Sequence, residues 1–198
     1  MEDSFLTLKT DSEGLYKEKG SKFLAFAYPV SDEYEVKEKL EALKKKYYDA
    51  RHHCYAYILG KDQDIFRSND DGEPNHSAGD PILGQIRSNN LSNVLIVVIR
   101  YFGGTKLGVG GLITAYKTAA AEAIEANEII TDIVTKTLKF QFEYLDMNDV
   151  MKLIKDYDLQ IKKQDFDNIC HLHLSIREAL LDEVMGILDN IPSVKMLN

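Results

Sequence analysis

Cysteine is scarce: Cys54 and Cys170 are the only two in 198 residues. They stand far apart in the chain, which disfavours a disulfide framework and a cysteine-built zinc site and points to a reducing compartment. Long apolar runs are missing as well. None approaches the roughly 18 residues that span a bilayer. The acidic stretch from Met1 to Thr10 lacks the basic start and apolar core of a signal peptide. A cytoplasmic address without membrane contact is therefore expected. Positive charge is in deficit, with 24 basic against 32 acidic residues and a net charge of −8. The deficit is shared: 16 against 20 through Ile130, then 8 against 12. Binding to phosphates depends on displacing their counterions with Lys and Arg, so this chain contacts nucleic acid only through a local basic patch. Both standard nucleotide motifs are absent too. Gly103 is not followed at the right distance by Gly-Lys-Ser/Thr, and Gly108-Val109-Gly110 lacks the third spaced glycine.

What is present describes a folded α+β protein. Hydrophobic residues make up 44% and charged residues 28%, close to globular averages. The length suits two modest domains, divided here into 1–130 and 131–198. In the second half, Leu138, Phe140, Phe142 and Tyr144 alternate with Lys139, Gln141 and Glu143, the period of a half-buried strand. Asp146 then caps a helix whose apolar face carries Met147, Val150, Met151, Ile154 and Tyr157. A strand near Leu159 to Phe166, one from Cys170 to Ile176, a helix with Val184 and Leu188, and a last strand at Val194 to Leu197 complete β-α-β-β-α-β, the ferredoxin-like order.

The first half opens with two or three strands between Phe5 and Val30. Asp32 and Glu35 then fit a capping box ahead of a helix with Val36, Leu40, Leu43 and Tyr47 inward. Strands follow at Arg51 to Leu59 and Ile65 to Arg67. Asp80 and Pro81 supply an N-cap and a first-turn proline for a helix through Ser88. Val94 to Ile99, continuous and mostly β-branched, reads as a buried strand. A glycine-rich loop, Gly103 to Gly111, precedes an alanine-rich helix from Leu112 to Ala126, and the domain boundary falls near Asn127 to Asp132.

Three segments hold more polar and glycine residues than a fold alone requires: Asp49 to Cys54, Ser68 to Pro74 and Arg100 to Gly111. The last stands between strand and helix, where exposed backbone amides and the helix dipole hold anions. The dipole contributes only about 0.3–1 kcal/mol at an exposed site, so Lys106 or Arg100 has to add charge. Alternatively, Gly103, Gly104, Gly108, Gly110 and Gly111 merely permit tight turns and close packing. Consecutive strand positions put His52 and His53 on opposite faces, so they cannot share a metal. Arg51, His53 and Tyr55 share one face, while His52, Cys54 and Ala56 share the other. The run Asp70, Asp71, Gly72 and Glu73 either holds a metal, acts as acid and base, or is a solvated turn; Gly72 does not fall at the EF-hand position. His171 and His173 share a strand face, a chelating geometry that an exposed face also explains.

At these segments the sequence resembles the YigZ/IMPACT family. The matching blocks are Asp49 to Cys54, Ser68 to Pro74 with Ala78-Gly79 and Pro81, Val97 to Gly104, and Leu107 to Tyr116. Asn75-His76-Ser77 departs from it, since relatives carry smaller residues there. The resemblance implies a first domain like the left-handed βαβ domain of a small-subunit ribosomal protein, and a ferredoxin-like second domain like an elongation-factor module. It also implies regulation of translation by binding, with ribosome, RNA or a translation-associated protein as partner. The contact set would be Arg51, His53, Asp70, Asp71, Gly72, Glu73, Arg100, Gly103, Gly104, Lys106, Gly108, Gly110 and Gly111. No catalytic residue, metal or cofactor is assigned. A phosphate-ligand enzyme or sensor, using the glycine-rich loop and the acidic turn, is the alternative.

Overall fold

The computed structural model describes residues 3–197. It is a mixed α/β structure with antiparallel sheets, in two compact units: Phe5–Asp132, and residues 133–197 together with Asp3 and Ser4. No helix among the described residues is long and apolar enough to cross a membrane.

Strand β1 (Ser4–Leu8) pairs with β7 (Ile129–Ile133) as a small separate sheet. The main sheet has five strands, β2 (Ser12–Glu18), β3 (Ser21–Pro29), β4 (His52–Leu59), β5 (Ile65–Asn69) and β6 (Val94–Tyr101), in the order β2-β3-β6-β4-β5. Central β6 is covered on both sides, which is why its sequence is a continuous apolar run. Leu95, Val97 and Ile99 pack beneath α1 (Glu33–Lys46) with Val36 and Leu43, while Val94, Ile96 and Val98 face α2 (Gly79–Ser88) and α3 (Gly108–Glu125). The alanines of α3 bring its backbone close to the sheet. A Cβ on Gly14 of β2 would stand 2.5 Å from the Ala123 amide.

The helix ends refine the sequence reading. Asp32 caps α1 by accepting from the Glu35 amide at 2.9 Å, but the Glu35 carboxylate accepts from Ser31 N–H, one residue before the cap. Helix α2 begins at Gly79, with Ala78 rather than Asp80 at the N-cap. Asp70, from the preceding turn, takes the free amides of Ala78 and Gly79 on one oxygen at 3.0 and 2.8 Å. Asp80 is left to accept from Ser68 and to pair with His76. Helix α3 starts at Gly108, so the end of the expected glycine-rich loop is its first turn.

The second unit follows β8 (Thr135–Glu143), α4 (Met147–Asp156), β9 (Gln160–Asp165), β10 (Ile169–Arg177), α5 (Leu181–Leu188) and β11 (Lys195–Met196), with strand order β11-β8-β10-β9. Alternate residues of β8 and β10 face the helices: Leu138, Phe140 and Phe142, and Cys170, Leu172, Leu174 and Ile176. Burying each such large side chain stabilises by about 1.5–3 kcal/mol. On α4 the inward residues are Val150, Leu153 and Ile154, whereas Met151 faces out. The Asp146 side chain makes no cap bond and binds Ser193 instead. Arg177 donates Nε and Nη2 to the two oxygens of buried Asp3, and this pairing holds the Asp3 carboxyl below its ordinary pKa.

Candidate functional site

The sequence-singled segments meet at the end of the first unit's sheet where β6 runs into α3. Arg100, the last inward residue of β6, has His52 opposite it on β4 and Phe23 opposite it on β3. Its position follows from parity: it shares a face with Val94, Ile96 and Val98, so the chain puts a guanidinium where a fourth apolar side chain would go. Arg100 is 7% exposed. Burying a cation is costly unless it is paired and hydrogen-bonded. Arg100 Nη1 donates to Glu73 Oε1 at 2.7 Å, and the Tyr116 hydroxyl of α3 donates to the same oxygen at 2.8 Å. Cys54 Sγ lies 3.4 Å from that hydroxyl and donates to the Asp70 carbonyl at 3.0 Å. Burial pushes the pKa of Cys54 and Tyr116 upward, so both stay protonated. One polar donor is left over: among the described residues, Arg100 Nε is buried without a hydrogen-bond partner.

Above this network lies an open cleft of about 880 Å³, lined among others by Asp49, Arg51, His52, Glu73, Arg100, Phe102, Lys106, Gly108 and Val109. Three cations, Arg51, Arg100 and Lys106, stand against two carboxylates, Asp49 and Glu73, giving a local excess of one positive charge in a chain of −8. Both carboxylates are engaged. Asp49 accepts from the Tyr101 hydroxyl at 2.8 Å, which pushes that phenol's pKa up to about 12. Glu73 already answers the charge of Arg100, so it is Arg51 and Lys106, both exposed, that carry the uncompensated charge. Gly108 and Val109, from the first turn of α3, share the lining. That turn contains no acidic residue and has no side-chain cap bond, leaving the positive end of an 18-residue helix unblocked.

The cleft's walls have specific local causes. Phe102 is 57% exposed, and the Arg100 guanidinium lies 5.6 Å from its ring centre and equally far from that of Phe23. Gly103 fixes where Phe102 sits. Its amide donates to Ser21 Oγ at 3.1 Å, and a Cβ there would fall 1.9 Å from the Gly20 carbonyl carbon, so only glycine admits this backbone contact. His52 Nδ1 lies 2.8 Å from the Asp71 carbonyl, an acceptor, so Nδ1 carries the proton and Nε2 is the ring's acceptor when neutral.

Several of the residues singled out from sequence are not in the cleft. His53 points to the α1 side, with Nε2 3.1 Å from the Tyr47 carbonyl. Burial depresses its pKa. Asp70 accepts three amides, those of His76, Ala78 and Gly79. Asp71 accepts from the His53 amide at 2.7 Å. Asp71 and Gly72 take positive φ of 40° and 85°, making the tight turn that delivers Glu73 to Arg100. The acidic run is thus structural rather than a solvated turn. Gly103 and Gly104 do not line the cleft, and Gly110 and Gly111 line a neighbouring hollow with Tyr16, Glu18 and Lys19. Among the described residues, no three His, Cys, Asp or Glu are placed to hold a metal ion. His52, Phe102 and Val109 line the cleft although the sequence-based contact set does not include them. The available signal was parity for His52, since it shares its face with Cys54, and for Phe102 an aromatic residue set directly before two glycines.

The family model described as Impact N-terminal domain matches residues 19–124, a span that includes every residue lining the cleft. YvyE of Bacillus subtilis, an IMPACT family member, is 31% identical over 160 residues, covering 81% of this chain and 74% of that protein. YigZ of Escherichia coli, another member, is 30% identical over 169 residues, covering 83% and 82%. A crystal structure of a hypothetical protein shares 27% identity over 98% of this chain and 97% of its own, with a TM-score of 0.75.

Proposed function

This chain belongs to the IMPACT family, and from that premise we propose that it regulates translation by binding rather than by catalysis, through a cytoplasmic encounter between its cleft and an anionic partner. The partner is the ribosome, an RNA or a translation-associated protein. Translation regulation is the role that the resemblance implies at the family level, and the chemistry of the partner is argued from the site. The carrying observation is the division of labour in the cleft: its carboxylates are engaged by Tyr101 and Arg100, while Arg51, Lys106 and the amino end of α3 face outward. A metal-holding or proton-accepting role for the acidic turn would need Asp70, Asp71 or Glu73 free, and each is consumed in holding the backbone or Arg100. In this reading the unit over 1–130 is the left-handed βαβ type and 131–198 is ferredoxin-like, consistent with its strand order β11-β8-β10-β9.

The test is capture of ribosomes, RNA and translation factors from lysate by the wild-type chain and by an Arg51→Ala, Lys106→Ala double variant, at low and moderate salt. Both substituted residues are exposed, so the fold should survive, which circular dichroism checks. Salt-sensitive association that the double variant loses is the expected result. Absence of any specific association by a folded wild-type chain sinks the proposal.

A further inference from the structure

Resting on that binding reading, we infer that the cleft recognises a single nucleotide unit, phosphate and base together, either free or as one residue of an RNA strand. A helix amino end alone would not support this, because such ends are common. Here a second group points to a ligand: Arg100 is 93% buried by its 7% exposure, lines the cleft, and keeps Nε without a partner among the described residues. A buried donor in that state is satisfied when an ordered water or a ligand atom supplies the acceptor. The uncapped first turn of α3, with Arg51 and Lys106 beside it, provides the amides and positive charge that hold a phosphate.

Simple anion capture leaves the rest of the lining unexplained. Phe102 is 57% and Val109 52% exposed, large apolar surfaces facing solvent next to the cationic groups. The Phe102 ring already carries the Arg100 guanidinium at 5.6 Å, so a planar group on its open surface would extend an existing stack. His52 Nε2, an acceptor by the tautomer its Asp71 contact fixes, can receive a hydroxyl or amino proton of the ligand. A volume of about 880 Å³ lies within the range of small-molecule sites, about 300–1,000 Å³, and exceeds what a lone phosphate occupies. A phosphate, a flat ring and hydroxyls, the groups these side chains and amides would receive, are the components of a nucleotide.

The test is calorimetric titration of the full chain with adenosine monophosphate, inorganic phosphate, adenosine and a short single-stranded RNA, repeated with Phe102→Ala and Lys106→Ala. Phe102 is exposed, so the substitution leaves the core intact. The expected result is that the monophosphate binds more tightly than phosphate or adenosine. Phe102→Ala should weaken the monophosphate about tenfold, the scale of one lost base stack, and leave phosphate unchanged. Lys106→Ala should weaken monophosphate and phosphate alike. RNA binding that the monophosphate displaces, and that Phe102→Ala reduces, identifies a strand residue as the source; monophosphate binding without RNA binding identifies a free nucleotide. If phosphate binds as well as the monophosphate and Phe102→Ala changes nothing, the nucleotide inference fails while anion binding stands. If phosphate, monophosphate and RNA all fail to bind a folded chain, both fall.

Discussion

In the second unit every inward residue of β10, from Cys170 to Ile176, is apolar, and His171, His173 and Ser175 turn outward. In the first unit the central strand ends its buried run on Arg100, with Glu73 and Tyr116 buried beside it. An apolar core tolerates the loss of one side chain as a cavity. A buried polar cluster strands the partners that remain, because each was desolvated on the condition of being paired.

The largest test of that contrast is Glu73→Ala. It leaves the Arg100 charge and the Tyr116 hydroxyl without their shared acceptor and should cost about 3–5 kcal/mol, read as a lowered urea midpoint by circular dichroism. Replacing the pair together, with Glu73→Leu and Arg100→Met, should recover most of the loss. Leu172→Ala in the second unit should cost about 2–5 kcal/mol with no such rescue. A Glu73→Ala variant as stable as wild type would erase the distinction between the units.

Two glycines sharpen it further. Gly103→Ala forces apart backbones already in contact and should destabilise by about 1–3 kcal/mol. Gly110→Ala meets nothing within 4 Å and should be neutral or stabilising by up to about 1 kcal/mol. Asp70→Ala, which releases the amides at the start of α2, should cost about 0.5–2 kcal/mol in the same assay.

Smallest is the effect of two histidines, read by NMR titration. Burial lowers the His53 pKa from its ordinary 6.5, so its midpoint should fall below that value. Native His53 then resists a proton that the unfolded chain accepts, and its contribution to stability is lost as pH falls through about 6.5. His76 behaves oppositely. Its hydrogen bond to Asp80 raises its pKa above 6.5, while Asp80 is lowered by its bonds from Ser68 and His76. The pair therefore stabilises most between the two ordinary values, about pH 4 to 6.5. It weakens as pH falls through the lowered Asp80 value or rises through the raised His76 value. Equal midpoints for the two histidines would refute these assignments.

Legibility from sequence divides along the same line. The second unit's strands could be read because alternation is local: Leu138, Phe140 and Phe142 declare their face by spacing alone. Even there, Met151 and Leu153 exchanged places, since a short helix leaves its phase ambiguous by one position. In the first unit, the segments that sequence singles out meet at one cleft, but the division of roles within them is not legible. That Asp70 caps a helix beginning nine residues later, and that Glu73 is drawn under Arg100, depend on the turn at Asp71 and Gly72, which no periodicity encodes. Parity separated His52 from His53, yet only the packing of α1 and α3 decided which face held the cleft. Phe102 is not legible in the sequence because exposed aromatic residues carry no period at all.

Each unit hides one thiol, Cys54 in the first and Cys170 in the second, both fully buried. Burial raises the pKa of each, so neither is a ready nucleophile while its unit is closed. The unmodified chain consequently carries two internal clocks. Timed exposure to an alkylating reagent, followed by mass analysis of the two peptides, reports how often each unit opens without any engineered label. An occupant of the cleft should slow the Cys54 clock, which lies directly beneath the Glu73 and Tyr116 contact, and leave the Cys170 clock as the internal standard.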